Sequence, residues 1–203
     1  MTDNTHVPAH ESPNKGTRRI AAVGPMVTID RNRADACADN LAWRIKCQPD
    51  LPWPFKPEDI SPLQWWRALP PDVLHDPEQV LLLATLERID VLHAGEDLKA
   101  ALAGDGAAAI DVAFSLMPIE EITLTVDIGM TALCRCALAR NAASALVMAQ
   151  VIGLTNFDHG LSIELAMSWY RHGLRYASDP RKFREAETVL LKAFHELDRS
   201  GPR

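Results

Sequence analysis

Residues 127–152 read DIGMTALCRCALARNAASALVMAQVI, a run that is apolar on almost every side at the spacing of a helix. Alanine and leucine lose little rotamer freedom in a helix, so the composition of this run favours helix over strand. A helix without a polar face is normally the buried centre of a bundle. This stretch therefore predicts an all-α fold whose other helices pack around residues 127–152.

Helical patterns continue on both sides of this centre. Apolar periodicity, serine or aspartate caps, and glycine or proline stops predict further helices. They are expected at 31–47, around 62–69, at 77–94, 96–103, 107–117 and 158–177, and from Asp179-Pro180 onward. Residues 122–128 alternate like a strand but have no partner strand, so we interpret them as the entry to a helix. The chain is thus predicted to be a single-domain helical bundle of about seven helices at 21–203, after a disordered tail at 1–20.

Size and charge limit the classes of function. The chain has 203 residues, 47% of them hydrophobic, which is enough for one domain with its own core. Its formal net charge of −6 gives no overall attraction to nucleic acid or to an anionic membrane. The longest apolar stretch, 128–154, contains Arg135 and Arg140, which argues against a membrane span. With no apolar run of signal-peptide length in the tail, we expect a cytoplasmic protein.

The four cysteines do not form a metal-binding pattern. Cys37, Cys47, Cys134 and Cys136 lack the paired C-x-x-C spacing of a thiolate zinc site. Three of them lie in apolar helical runs, which is typical of buried free thiols in a reducing compartment. We therefore expect no metal and no cofactor.

Residues 49–72, PDLPWPFKPEDISPLQWWRALPPD, hold seven of the 14 prolines and three of the five tryptophans. The prolines predict an extended course at 49–60, and Ser61-Pro62 predicts a short helix carrying Trp65 and Trp66. Such a segment can wrap over a helical core and be held there by its aromatic side chains, which we expect here. It can also be an exposed ligand for another protein. If its edge stays exposed, Trp53, Phe55, Trp65 and Trp66 are the candidate partner-binding residues.

The sequence FKPEDISP at 55–62, followed by Leu69-Pro70, resembles the aromatic and proline-rich segment of a cytosolic accessory subunit of bacterial type III secretion machines. That subunit belongs to the sorting platform below the export gate. The resemblance implies a non-enzymatic adaptor that joins a membrane-embedded ring to a cytoplasmic platform. Our leading hypothesis is therefore a cytoplasmic adaptor or scaffold that acts through protein contacts.

Residues 169–184, WYRHGLRYASDPRKFR, support an alternative function. Five cations are interleaved there with Trp169, Tyr170, Tyr176 and Phe183, a combination that can bind nucleic acid through phosphate contacts and base stacking. The cations are Arg171, Arg175, Arg181, Lys182 and Arg184. The same pattern is also typical of a solvated helical face with its aromatics turned inward. No known nucleic-acid reader motif accompanies these residues.

The last helical hairpin also looks like a tetratricopeptide repeat. Phe183, Ala186, Leu190 and Ala193 match the second helix of that pattern. The preceding helix matches only in part, and no second copy follows at the repeat period. The resemblance implies helix-on-helix packing.

Catalytic signatures are absent from the sequence, so a small helical enzyme or ligand-binding protein is the third hypothesis. Its candidate site is Arg135, Arg140 and His172. The two arginines stand in an apolar helix and are expected to pair with a carboxylate or to extend to the surface. The candidate carboxylates are Asp111, Glu120, Glu121 and Asp127.

Overall fold

Eight α-helices make up most of residues 53–89, 95–155, 157 and 159–200, which are the residues that the computed structural model describes. They are α1 Trp65–Ala68, α2 Asp76–Glu87, α3 Glu96–Ala103, α4 Gly106–Ser115, α5 Leu124–Leu138, α6 Ala142–Leu154, α7 Ser162–Tyr176 and α8 Pro180–Ser200. The predicted all-α fold is confirmed, and no strand occurs in these ranges. The predicted tail at 1–20 and helix at 31–47 lie outside them.

The apolar run at 127–152 is two helices, not one. Arg140 has φ 68°, a left-handed conformation that a helix cannot contain, and it separates α5 from α6. The Asn141 side chain then caps α6 by accepting a hydrogen bond from the Ser144 backbone at 3.1 Å. The prediction that this run is the buried centre is confirmed, because every residue from Ser144 to Ile152 is buried.

Helix α6 is surrounded by its neighbours. It packs against α5 and α7, while α4 and α8 also contact it. Gly153 lies against Ala166 and Gly173 lies against Ala145, which fixes α6 and α7 as antiparallel neighbours. The three-residue turn at 139–141 likewise makes α5 and α6 antiparallel. The start of α5, the end of α6 and the start of α7 therefore lie at one end of the bundle.

Helix α5 begins where residues 122–128 were predicted to enter a helix. The Thr123 hydroxyl accepts a hydrogen bond from the Val126 backbone at 3.3 Å and caps the first turn. The strand-like alternation of this stretch has no partner strand among the described elements. The Thr123 cap favours the helix because it gives the Val126 backbone N–H an acceptor that it would otherwise lack in the first turn.

Helix α2 is shorter than predicted. It ends at Glu87 rather than near 94, and its cap is His75, whose backbone N–H donates to Glu78 at 2.9 Å. Its apolar residues include Val80 and Leu81, which are 67% and 51% exposed. Apolar residues occur on every side of this helix, so the sequence pattern could not show which side meets the core.

Helix α7 begins at Ser162 rather than near 158, whereas α8 begins at Pro180 as predicted. Asp179 caps α8 by accepting hydrogen bonds from the Arg181 and Lys182 backbones at 2.9 and 3.3 Å. Of the residues that match the tetratricopeptide pattern, Phe183 is buried and Ala186 is exposed. None of the helices in the described part of the chain combines the length and the apolar character that a membrane span requires.

Candidate functional site

Residues 53–74, the wrapped segment, cross the surface of α5 as a chain of short turns. The predicted extended course at 49–60 is interrupted by a 3₁₀ turn at Pro57–Asp59, and a second turn at Pro62–Gln64 leads into α1. Proline suits the first position of such turns because its φ is already helical and its missing N–H would have no partner there. Residues 49–52 lie outside the described residues.

Each of the three indoles in the wrapped segment donates a hydrogen bond. Trp53 donates to the Ala68 carbonyl at 2.7 Å, and Trp65 donates to the Ile60 carbonyl at 3.0 Å. Trp66 donates to Asp127 Oδ1 at 2.8 Å and thereby joins the segment to α5. The expected wrapping is confirmed, and satisfied indoles explain how tryptophans can fill this position.

Two of the four predicted partner-binding residues are core residues. Trp65 is 1% exposed and Trp66 is fully buried, so neither can contribute to a docking surface. The sequence left open whether these two indoles are core or exposed, and the short helix turns both of them inward. Trp53 and Phe55 are half-buried and keep part of their surface.

Asp127 is the polar group through which α5 holds the wrapped segment. Its Oδ1 accepts the Trp66 indole and also the Arg67 guanidinium, whose Nε lies at 3.1 Å. It stands in the first turn of α5, where the helix dipole also favours a negative charge. A second tie is the Thr131 hydroxyl, which donates to the Leu63 carbonyl at 3.0 Å.

His159 joins the wrapped segment to the connection between α6 and α7. Its Nδ1 accepts a hydrogen bond from the Leu161 backbone at 3.0 Å, which leaves Nε2 as the protonated nitrogen facing the Arg67 carbonyl at 2.9 Å. The ring lies 5.5 Å from the Phe55 ring and 5.4 Å from the Phe157 ring. Because these residues are far apart in the chain, no sequence pattern could have joined them.

The same end of the bundle exposes an unusual number of large apolar side chains. In the described part of the chain eight such residues are exposed, and four of them, Ile122, Leu124, Leu154 and Ile163, belong to the adjacent ends of α5, α6 and α7. Phe55 belongs to the same end of the bundle, because its ring packs on His159 in the connection between α6 and α7. We name these five residues the apolar end. Of the five, only Phe55 was predicted from the sequence as a binding residue.

Acidic side chains border the apolar end. Glu120 and Glu121 directly precede Ile122, and Glu164 directly follows Ile163. The first two are exposed and the third is half-buried. Arg67 is already paired with Asp127, so its charge is largely balanced within the protein.

The candidate enzyme site assembles only in part. The Arg140 guanidinium lies 5.3 Å from the centre of the Tyr176 ring, which His172 also contacts, whereas Arg135 donates to the Leu102 carbonyl on α3. In the described ranges neither arginine pairs with any of the four carboxylates proposed for it, and Asp127 is bound by Arg67 and Trp66 instead. Arg140 is exposed, as the alternative expectation has it, and Arg135 uses a helix-terminal carbonyl as its acceptor.

His172, Cys134 and Cys136 are buried or half-buried groups of the helical core. His172 Nε2 lies 3.1 Å from the Ala137 carbonyl, and Trp169 and Tyr176 contact the ring. Burial lowers the pKa of His172, so the neutral form is favoured. Burial also raises the pKa of the Cys134 and Cys136 thiols, which makes them poor nucleophiles.

The basic hairpin at 169–184 presents its cations with most of its aromatics turned inward. All five predicted cations are exposed, but Trp169, Tyr170 and Phe183 are buried. Tyr176 keeps 36% of its surface exposed, with the Arg140 guanidinium over its ring. Three of the four aromatics therefore face inward, as the alternative interpretation of this pattern expects, and Tyr176 is the one ring of the four that retains exposed surface.

No group of three or more histidine, cysteine, aspartate or glutamate side chains that could hold a metal occurs in the part of the chain that the structure describes. A scan against protein-family models finds no match, and searches of the curated proteins and of the solved structures find none either.

Proposed function

We propose that this protein is a non-enzymatic adaptor that binds a partner protein through the apolar end. The observation that supports this function is the exposure of Ile122, Leu124, Leu154 and Ile163 at helix ends that share one end of the bundle with Phe55. Exposed apolar side chains are normally scattered singly, so four at one end of a bundle favour a binding surface there. The wrapped segment is anchored at this end by the Trp66–Asp127 and His159–Arg67 hydrogen bonds.

The charge around the apolar end favours a basic partner. Glu120, Glu121 and Glu164 border the surface, and the nearby Arg67 is neutralised by Asp127. A partner segment with apolar anchors flanked by lysine or arginine would complement both features. An anionic nucleic acid or membrane would be repelled from this end.

The resemblance of residues 55–62 to a sorting-platform subunit of type III secretion agrees with an adaptor function. In that setting the partner would be another subunit of the cytoplasmic platform. The adaptor proposal itself rests on the exposed side chains and not on this resemblance, so it stands for any basic protein partner.

Photo-crosslinking in cells that naturally express the protein tests this proposal. A benzophenone amino acid replaces Leu124 in one variant and Val189 on α8 in a control variant. The two positions are matched because each is 66% exposed. We expect position 124 to form a discrete crosslink to one protein, and position 189 to form none.

Binding of the purified partner completes the test. The double variant Leu124→Ser with Ile163→Ser should weaken binding by about tenfold or more, because it removes two exposed apolar anchors. Val189→Ser should bind like the natural protein, and both variants should keep their helical content because the changed residues are exposed. Equal crosslinking at both positions, or unchanged affinity in the double variant, would refute the proposal. Crosslinks to RNA or DNA at a variant of Arg181 would favour the nucleic-acid alternative.

A further inference from the structure

A second surface feature is an open groove of about 370 Å³ between α2 and α5. Its walls are mainly apolar and include Val80, Leu83 and Leu138. The charged groups that line it are Arg135 and Asp76. Its volume is at the lower end of the range for small-molecule sites, which is about 300–1,000 Å³.

Arg135 is held rigidly at this groove. Its Nη1 donates to the Leu102 carbonyl in the last turn of α3. Gly104, with φ 101°, lets the chain pass so closely that a Cβ there would lie 3.1 Å from Arg135 Nη2. Glycine at this position thus allows the left-handed turn and also leaves room for the Arg135 guanidinium.

The positive charge of Arg135 has no carboxylate partner within the described ranges. Its one hydrogen bond uses Nη1, which leaves Nε and Nη2 without a protein acceptor there. A half-buried cation that has unused donors beside apolar walls is complementary to a ligand that combines a hydrocarbon chain with one anionic group.

We propose that this groove binds a small amphipathic carboxylate, independently of the adaptor function. The carboxylate accepts hydrogen bonds from Arg135, and the hydrocarbon chain lies along Val80, Leu83 and Leu138. Asp76 also lines the groove, so the lining carries one positive and one negative side chain and disfavours a ligand with two anionic groups.

Calorimetric titration of the purified full chain tests the site, with decanoate as the probe. Decyltrimethylammonium has the same chain with the opposite charge and serves as the control ligand. We expect saturable binding of one decanoate and no binding of the cation. Arg135→Gln should weaken decanoate binding by about ten- to a hundredfold, which is the value of a charged hydrogen bond. Arg181→Gln, which removes an exposed cation on α8, should have no effect.

A second variant keeps the test valid if Arg135→Gln disturbs α3. Val80→Asp changes a residue that is 67% exposed and adds a negative charge to the groove wall, so it should fold normally and weaken decanoate binding. Circular dichroism checks the fold of each variant. The proposal is overturned if decanoate does not saturate, if the cation binds equally well, or if Val80→Asp binds decanoate like the natural protein.

Discussion

Trp66→Phe should destabilise the fold by more than any other conservative change in the wrapped segment. The indole is fully buried and donates to Asp127 at 2.8 Å, and a phenyl ring cannot donate. A hydrogen bond to a charged group contributes about 1.5–3 kcal/mol, and the void left by the smaller ring adds about 1 kcal/mol. We therefore expect the free energy of unfolding to fall by about 2.5–4 kcal/mol.

Trp53→Phe is the matched control because it makes the same chemical change at a half-buried site. The Trp53 indole donates to the neutral Ala68 carbonyl at 2.7 Å. A bond of this kind contributes about 0.5–1.5 kcal/mol, so the control should lose about 1 kcal/mol. Urea unfolding followed by circular dichroism at 222 nm measures both variants, because helix content reports on the whole bundle.

The comparison has a clear negative result. If Trp66→Phe costs no more than Trp53→Phe, then Asp127 is not acting as a buried charged acceptor. If Trp66→Phe changes the slope of the unfolding transition rather than its midpoint, the variant has altered the compactness of one state, and the energy argument fails.

Three further predictions concern the core. Gly173→Ala should lower the melting temperature, because the added Cβ would lie 2.9 Å from the ring of buried Phe183 and 3.1 Å from Ala145 Cβ, an overpacking that costs about 1–3 kcal/mol against about 1 kcal/mol gained in helix propensity; an unchanged or higher melting temperature would contradict this packing. Because burial lowers the pKa of His172, the unfolded chain takes up the proton first, so this contribution to stability is complete above pH 6.5 and is lost as the pH falls below it. Urea unfolding at a series of pH values should show a weaker loss in His172→Asn, and an identical profile would contradict the role of this histidine. Cys134 should stay unmodified after brief treatment of the folded protein with a maleimide, as read by mass spectrometry, because burial raises its thiol pKa; rapid labelling would show that the core opens there.

Several features of the fold were accessible from local sequence. The apolar run at 127–152 predicted the buried centre, and Asp179-Pro180 predicted the start of α8, because caps and periodicity act over a few residues. The break at Arg140 was missed, because its left-handed backbone has no signature in that residue type. The sequence predicted that the wrapped segment covers the helical core. The burial of Trp65 and Trp66 depends on which side of α1 meets α5, which the sequence does not show.

The candidate sites were accessible only in part. Phe55 was predicted as a binding residue, but Leu124, Leu154 and Ile163 looked like ordinary apolar positions near helix ends. They share one end of the bundle because α5 begins, α6 ends and α7 begins there. Arg135 was recognised as unusual, yet its acceptor on α3 and the groove beside it depend on the packing of α2 against α5.

The sequence by itself determined the helical class, the central position of α6 and the presence of an aromatic wrap, since composition and periodicity set the preferred backbone and the amount of apolar surface to bury. Only the tertiary structure decided which apolar side chains stayed exposed after the helices had packed. Burial is shared among helices that are distant in the chain, so the exposure of Leu124 or Val80 is set by the neighbours a residue meets and not by its own hydrophobicity.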